Sequence, residues 1–289
     1  MATVRGNGQK IRWKAPSIIP GFGITFGLSV TYLGLLVLLP VTAIFFKASS
    51  LGLEDFLKIV TNDRVFHAVV LSLWTALAAA CINVVFGLLV AWVLVRYQFP
   101  GRRLVDACVD LPFALPTAVA GLALTVLYSR NGWLGRPLAE LGFPVAYTPS
   151  GIVIALVFIG VPFVVRTIQP AIADLDRQIE EAAATLGAGR FRIFVHILLP
   201  ALFPSVLTGF ALAFGRAIGE YGSVIFIAGN QPYRTEIVPL MIVMQLEGSS
   251  AGRYAGAAAI GATLLVIAFM ILLSINLVQA WNRRRYGHD

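Results

Sequence analysis

Charge is scarce in this chain. Asp, Glu, Lys and Arg together supply 12% of the 289 residues, against the ~25% of a soluble domain, and the shortage excludes an ordinary water-facing surface. Cysteine is nearly absent. Cys81 and Cys108 are the only two; both lie in or beside apolar runs, so a disulfide framework is excluded and core packing is the expected role. The three histidines, His67, His196 and His288, sit at loops and ends and never at the i, i+4 spacing of a metal site. No Gly-x-x-x-x-Gly-Lys-Ser/Thr run exists, so the chain cannot cradle ATP phosphates by itself. The Gly187-Ala188-Gly189 piece lacks both the preceding strand and the following Lys. A Gly-x-Ser-x-Gly elbow is also missing, and no His lies deep in an apolar run to activate a serine. These absences leave no catalytic residue and no metal site, and the chain reads as a non-enzyme.

Apolar length is what the chain has in abundance, with 58% hydrophobic residues. A helix needs about 20 apolar residues to cross the hydrocarbon. Six intervals qualify, at about 18–46, 66–95, 105–128, 151–170, 202–228 and 256–281. The expected fold class is an all-α polytopic membrane protein with six transmembrane helices. Lys and Arg orient it. Fourteen fall on the side of both termini: four before Pro16, then Arg96, Arg102, Arg103, Arg166, Arg177, Arg190, Arg192 and Arg283 to Arg285. Seven fall opposite: Lys47, Lys58, Arg64, Arg130, Arg136, Arg234 and Arg253. Both termini are therefore expected in the cytoplasm, with 1–17 a basic tail, 18–281 the membrane domain and 282–289 a second tail. The net charge of +8 is mostly this bias, and no nucleic-acid surface is read from it. The first apolar run far exceeds the 7–15 residues of a signal-peptide core, so it is expected to stay as an uncleaved span.

Three places break the apolar pattern. The 47–65 loop is expected to carry a short capped helix, from Ser49-Ser50 and Glu54-Asp55. Span three holds Pro112 and Pro116, which imply a kink or unwound turn, or a helix that begins only after Pro116. Asp106 and Asp110 precede them as interfacial acids near Arg102 and Arg103, with no transport role assigned. Span five contains Gly209, Gly215, Gly219 and Gly222 with Arg216 and Glu220. A lone charge at membrane depth costs at least ~2.5–3.5 kcal/mol, and Glu220 is one helical turn from Arg216 and able to pair with it. Arg216 is read in two ways: as a group that draws a dianion along a path, or as a structural partner of Glu220. With Pro116 and Thr117, these two form the candidate pathway and gate.

The longest polar interval, 171–200, is the most specific feature. Glu181, Ala182, Ala183, Gly187, Ile197, Leu199 and Pro200 form the pattern Glu-Ala-Ala, three residues, Gly, nine residues, Ile-x-Leu-Pro. The stretch reads as an amphipathic helical hairpin, with Gly187 closing the first helix at the C′ position and Arg190-Phe191-Arg192 opening the second. Lipid-surface helices carry Lys and Arg on the polar face. This one carries Asp174, Asp176, Glu180 and Glu181, which favours docking to a protein.

The seven-position pattern resembles the cytoplasmic loop of the permease subunits of ATP-driven importers. Asp110 to Gly121, Arg96 to Arg103, Pro162 to Pro170 and Gly219 to Asn230 are similar to the sulfate/thiosulfate permeases. The Val-Ile-Phe-Ile-Ala-Gly-Asn wording at 224–230 matches their T-type subunit, and Tyr221 stands where that family usually has Phe. The resemblance implies a type I ABC importer permease fold with its core at about 66–277, in a bacterial or plastid-type inner membrane in contact with lipid. It implies a loop docked on an ATPase dimer that holds the ATP and magnesium, so no cofactor is bound by this chain. It further implies a second, unlike W-type permease, a periplasmic binding protein and the sulfate anion as cargo. A molybdate or tungstate permease, which pairs with itself, is the alternative within the class. A membrane channel subunit without ATP coupling is the alternative outside it.

Overall fold

The computed structural model describes residues 22–248 and 252–286, the side chains of 281–286 excepted. The basic tail at 1–17 therefore lies outside the described residues. All regular structure among the described residues is helical. The chain divides into two units, 1–44 and 45–289.

The first unit is described from Phe22 as one apolar helix, the start of α1 (Phe22–Ser49). A π turn at Gly34–Leu38 interrupts it, with the Leu39 N–H bonding Gly34 C=O. The next residue is Pro40. Proline offers no N–H and its ring crowds the carbonyl four residues back, so the preceding turn widens to the i→i−5 pattern.

The second unit carries the remaining elements: α2 (Gly52–Val60), α3 (Asp63–Arg96), α4 (Arg102–Val109), α5 (Leu111–Ala114), α6 (Thr117–Tyr128) and α7 (Gly135–Glu140). They are followed by α8 (Pro149–Asp174), α9 (Arg177–Thr185), α10 (Arg190–Ile218), α11 (Gly222–Ala228), α12 (Val238–Glu247) and α13 (Arg253–Tyr286). Of these, α3, α8, α10 and α13, together with α1, make five helices among the described residues that are long and apolar enough to cross a membrane.

That is one fewer than the six expected, and the difference is span three. It is broken into α4, α5 and the twelve-residue α6. Leu115 and Pro116 have extended ψ values of 134° and 132°, because a residue before proline is pushed out of the helical region and Pro116 cannot donate into a helical ladder. The turn is unwound, as one of the two readings had it, yet helix also exists before Pro116. The expected continuous span 202–228 is likewise two helices, α10 ending at Ile218 and α11 starting at Gly222. Span four runs past its expected end to Asp174, with Pro162 and Pro170 inside α8.

Other expectations need correction. The helix at 52–60 has Leu51 at its N-cap without a side-chain cap; the Ser49 and Ser50 hydroxyls instead donate back to the Phe46 and Lys47 carbonyls. Both cysteines are exposed on the outside of the bundle, so they do not pack its core. Between the expected spans 202–228 and 256–281, the chain forms a further helix, α12.

Helix α8 is the centre of the second unit, packed between α3 and α10, with α6 and α11 also against it and α12 against α13. The α3 face turned inward is built from Ala68, Ala76, Ala79, Ala80, Gly87 and Ala91. Small residues matter because lipid tails give helices no hydrophobic reason to associate; close backbone approach and van der Waals packing must do it. A side chain at Gly87 would collide with Val164 of α8, and one at Gly209 of α10 would press on the Val164 backbone. Val164 is thus seated between two glycines on two helices.

Candidate functional site

The docking hairpin is formed as its residues suggest. Asp176 accepts a hydrogen bond from the Gln178 N–H at 2.9 Å, capping α9. At the other end Gly187 takes φ +83°. Its N–H donates to Ala184 C=O at 3.0 Å, and the Ala188 N–H to Ala183 C=O at 3.1 Å. These are the two bonds of a Schellman motif, whose left-handed residue is usually Gly. Nothing lies within 4 Å of where a Gly187 side chain would begin, so backbone strain alone makes glycine the suitable residue there. The second leg, α10, starts at Arg190 and passes through a π turn, Phe194–Leu198. This turn again ends two residues before a proline, the Pro200 of the motif, so Ile197, Leu199 and Pro200 mark a widened helical turn and its exit.

Glu181 and Ala182 are exposed, Ala183 is half-buried, and three apolar side chains beside them stand free: Leu186 at 89%, Phe191 at 80% and Ile179 at 49% exposed. Sequence reasoning did not single out these exposed apolar side chains. The signal was available, since Leu186 and Phe191 are large apolar residues flanking a glycine turn in a polar interval.

The last turn of α3 grips this hairpin. Arg96 donates through Nη2 to Glu180 Oε1 at 2.8 Å and to the Leu175 carbonyl at 3.2 Å. Its guanidinium lies over the Trp92 ring at 5.4 Å, and Trp92 meets Phe194 edge-on at 6.3 Å between centroids. None of these contacts was read from the sequence, because the residues are distant along the chain.

The candidate pathway residues lie at two helix breaks that face each other. Arg216 ends α10 and its Nη1 is 2.6 Å from Glu220 Oε2. Glu220 sits in the break and is only 2% exposed. Its other oxygen accepts the Ser223 N–H at 2.9 Å and the Ser223 hydroxyl at 3.0 Å. Across from it, Pro116 caps α6 and Thr117 begins it. A side chain at Gly222 would strike the Thr117 hydroxyl, and one at Gly121 would strike the Ser223 backbone. At Gly121 the collision is with backbone, so α6 and α11 approach closely there; at Gly222 it is with the Thr117 side chain. Unwound backbone of this kind is tolerated at membrane depth only where protein or a cavity covers it.

Asp106 lies within electrostatic reach of Arg102, as expected, but the ion pairs of Asp106 and Asp110 are made with Arg166. Arg166 of α8 reaches between them, donating Nε and Nη2 to the two Asp110 oxygens at 2.8 and 2.5 Å and Nη1 to Asp106 Oδ1 at 2.6 Å. A planar guanidinium with five donors can serve two carboxylates at once. The pairing fixes the start of the broken span three to α8.

At the opposite end of α3, Arg64 clasps Glu236 with two parallel bonds, Nε to Oε2 and Nη2 to Oε1, both 2.7 Å. Close by, the Ser72 hydroxyl accepts from the Val238 N–H at 2.9 Å, tying the first residue of α12 to the same helix.

A bundle of long apolar helices, two facing helix breaks and an exposed polar hairpin define a membrane permease. The chain belongs to the family described as binding-protein-dependent transport system inner membrane component, whose pattern matches residues 83–288. It is 48% identical over 262 residues to the probable sulfate transport system permease protein of Nephroselmis olivacea, covering 91% of each chain. With the sulfate transport system permease protein of Escherichia coli K12 it shares 44% over 272 residues, covering 94% of this chain and 97% of that one. Among solved structures, a bacterial alginate ABC transporter bound to its periplasmic protein matches with TM-score 0.71 at 19% identity, over 91% of this chain and 93% of that chain. The MetNI methionine ABC transporter matches with TM-score 0.52 at 16% identity, over 79% and 100%. The fold is that of the ABC importer permeases.

Proposed function

We propose that this chain is a permease subunit of an ATP-driven sulfate/thiosulfate importer, forming half of the translocation pathway. One observation carries the reading: identities of 44–48% across about nine-tenths of the chain to proteins named as sulfate transport permeases. The docking motif, complete from Glu181 to Pro200, supports coupling to a separate ATPase that binds ATP and magnesium. In this reading a W-type permease completes the pathway and a periplasmic binding protein delivers the anion. Both termini and the hairpin face the cytoplasm, and the chain crosses the inner membrane several times. Residues 18–281 form the membrane domain, with 171–200 as the docking segment.

ATP-driven closing of the ATPase dimer would press on α9 and the start of α10, and the helix breaks at Leu115–Pro116 and Gly219–Tyr221 are where the bundle can change shape. The test is uptake into proteoliposomes holding this permease, the W-type partner, the ATPase and the binding protein. Labelled sulfate should accumulate with ATP and compete with thiosulfate. Uptake of molybdate by an assembly with this chain as its only permease would instead support the molybdate reading. Orientation is tested by external thiol labelling in a background without Cys81 and Cys108. Cysteines placed at Ser50, Asn131 or Gln231 should react, and one at Gln178 should not.

A further inference from the structure

We infer that the last turn of α3 is the seat through which movement of the hairpin enters the bundle, with Arg96 as its positioning residue. This rests on the docking role proposed above. Both legs of the hairpin end on the same turn. The first leg is held by Arg96, through the Glu180 carboxylate and the Leu175 carbonyl that precedes α9. The second is met by Trp92, whose ring contacts Phe194 at the start of the π turn. Arg96 and Trp92 are themselves stacked, one helical turn apart, so a displacement of either leg reaches the same pair of side chains.

Exposure shows which partner is fixed. The Arg96 side chain is 9% exposed and belongs to a helix packed along α8, whereas the Glu180 side chain is 27% exposed. A guanidinium buried against Trp92 stays in place, and the carboxylate can return to water. The Arg96 Nε is buried without a hydrogen-bond partner among the described residues, which leaves one donor for a second position of the carboxylate. When the carboxylate moves, the buried guanidinium keeps the Leu175 carbonyl and the Trp92 ring, so its charge is not left without partners.

The experiment uses the reconstituted four-component transporter with Arg96→Met, Arg96→Lys, Glu180→Gln and the exchanged pair Arg96→Glu with Glu180→Arg. Three quantities are read: ATPase retained on purification, ATP hydrolysis, and sulfate taken up per ATP hydrolysed. Arg96→Met is expected to retain the ATPase while uptake per ATP falls roughly five- to hundredfold, the range of a typical coupling between sites. Glu180→Gln should fall less, because the Leu175 contact remains. Arg96→Lys should lie between wild type and Arg96→Met, since an ammonium keeps the charge but not the planar stack. The exchanged pair should recover part of the loss, which a residue needed only for folding would not show.

Wild-type uptake per ATP in Arg96→Met overturns the inference, as does loss of the ATPase in that variant, which would make Arg96 a docking group. If Arg96→Met fails to assemble, Glu180→Gln and Arg96→Lys decide the matter, and wild-type coupling in both overturns it. Failure of the docking reading itself looks different: the ATPase would be retained, and uptake unchanged, when the hairpin turn is broken at Gly187.

Discussion

Helix α3 carries an arginine–glutamate pair at each end, and the two pairs are built in opposite ways. The helix has 34 residues, which at ~1.5 Å per residue makes a rod of about 50 Å. At its start, Arg64 makes a two-bond fork with Glu236, whose side chain is 1% exposed while that of Arg64 is 37% exposed. At its end, Arg96 is the buried member and Glu180 the more exposed one, joined through a single nitrogen. A buried carboxylate held by a fork cannot leave without an uncompensated charge in an apolar site. Glu180 is 27% exposed and can return to water, while Arg96 keeps the Leu175 carbonyl and the Trp92 ring as partners for its buried charge. The same two residue types therefore make a permanent fastening at one end of the rod and a releasable one at the end facing the hairpin.

The comparison breaks most sharply at Arg64. Arg64→Met should destabilise the purified protein by about 2–3 kcal/mol, less than the ~3–5 kcal/mol of a fully buried pair because Arg64 is partly exposed. Changing both residues, Arg64→Met with Glu236→Met, should recover most of the loss. Thermal unfolding in detergent measures both, and a Tm unchanged in Arg64→Met would remove the distinction between the two ends.

The Arg216–Glu220 pair sharpens it as an intermediate case, with a buried acid and a cation 35% exposed. Arg216→Met strands the buried Glu220 charge and should cost about 2–3 kcal/mol, the ~3–5 kcal/mol of a buried pair reduced by the exposure of Arg216, whereas Glu220→Leu leaves the Ser223 donors without an acceptor at ~1–3 kcal/mol. If Arg216 serves structure, the double change Arg216→Met with Glu220→Gln should restore assembly and uptake together. If it serves the anion, assembly returns and uptake does not. Full uptake in Arg216→Met alone would exclude the anion role.

At the releasable end, Gly187→Val forces a β-branched residue to φ +83°, a strain of ~1–3 kcal/mol. Because no atom lies nearby, Gly187→Asn should be tolerated far better, and the contrast in ATP-driven uptake separates backbone strain from bulk. The smallest stability effect is expected for Arg96→Met, about 1–2 kcal/mol for the lost hydrogen bonds, because the carboxylate left behind is 27% exposed and reaches water. A loss as large as that of Arg64→Met would show that both ends are permanent fastenings.

Much of this was legible in the chain. The periodic apolar runs located α3, α8 and α13 within a few residues, because length and hydropathy are properties of a segment alone. The hairpin was legible from Gly187 and Pro200, whose backbone preferences are local. The reversal of span three was half legible: Pro112 and Pro116 announced a break, but whether helix resumed before or after it depended on Arg166 holding Asp106 and Asp110 from another helix. The exposed cysteines were misread because an apolar run does not say which of its faces meets lipid.

The sequence by itself determined that this is a polytopic helical membrane protein with a polar helical hairpin. Those features follow from residue-level costs, of burying charge in hydrocarbon and of placing a side chain at positive φ. Only the tertiary structure decided which charges meet. Arg96 with Glu180, Arg64 with Glu236 and Arg166 with two aspartates join residues 84, 172 and about 60 positions apart. No local preference encodes such pairings; they exist because α3 and α8 pack closely enough, through alanine and glycine, to bring the ends of distant segments to the same place.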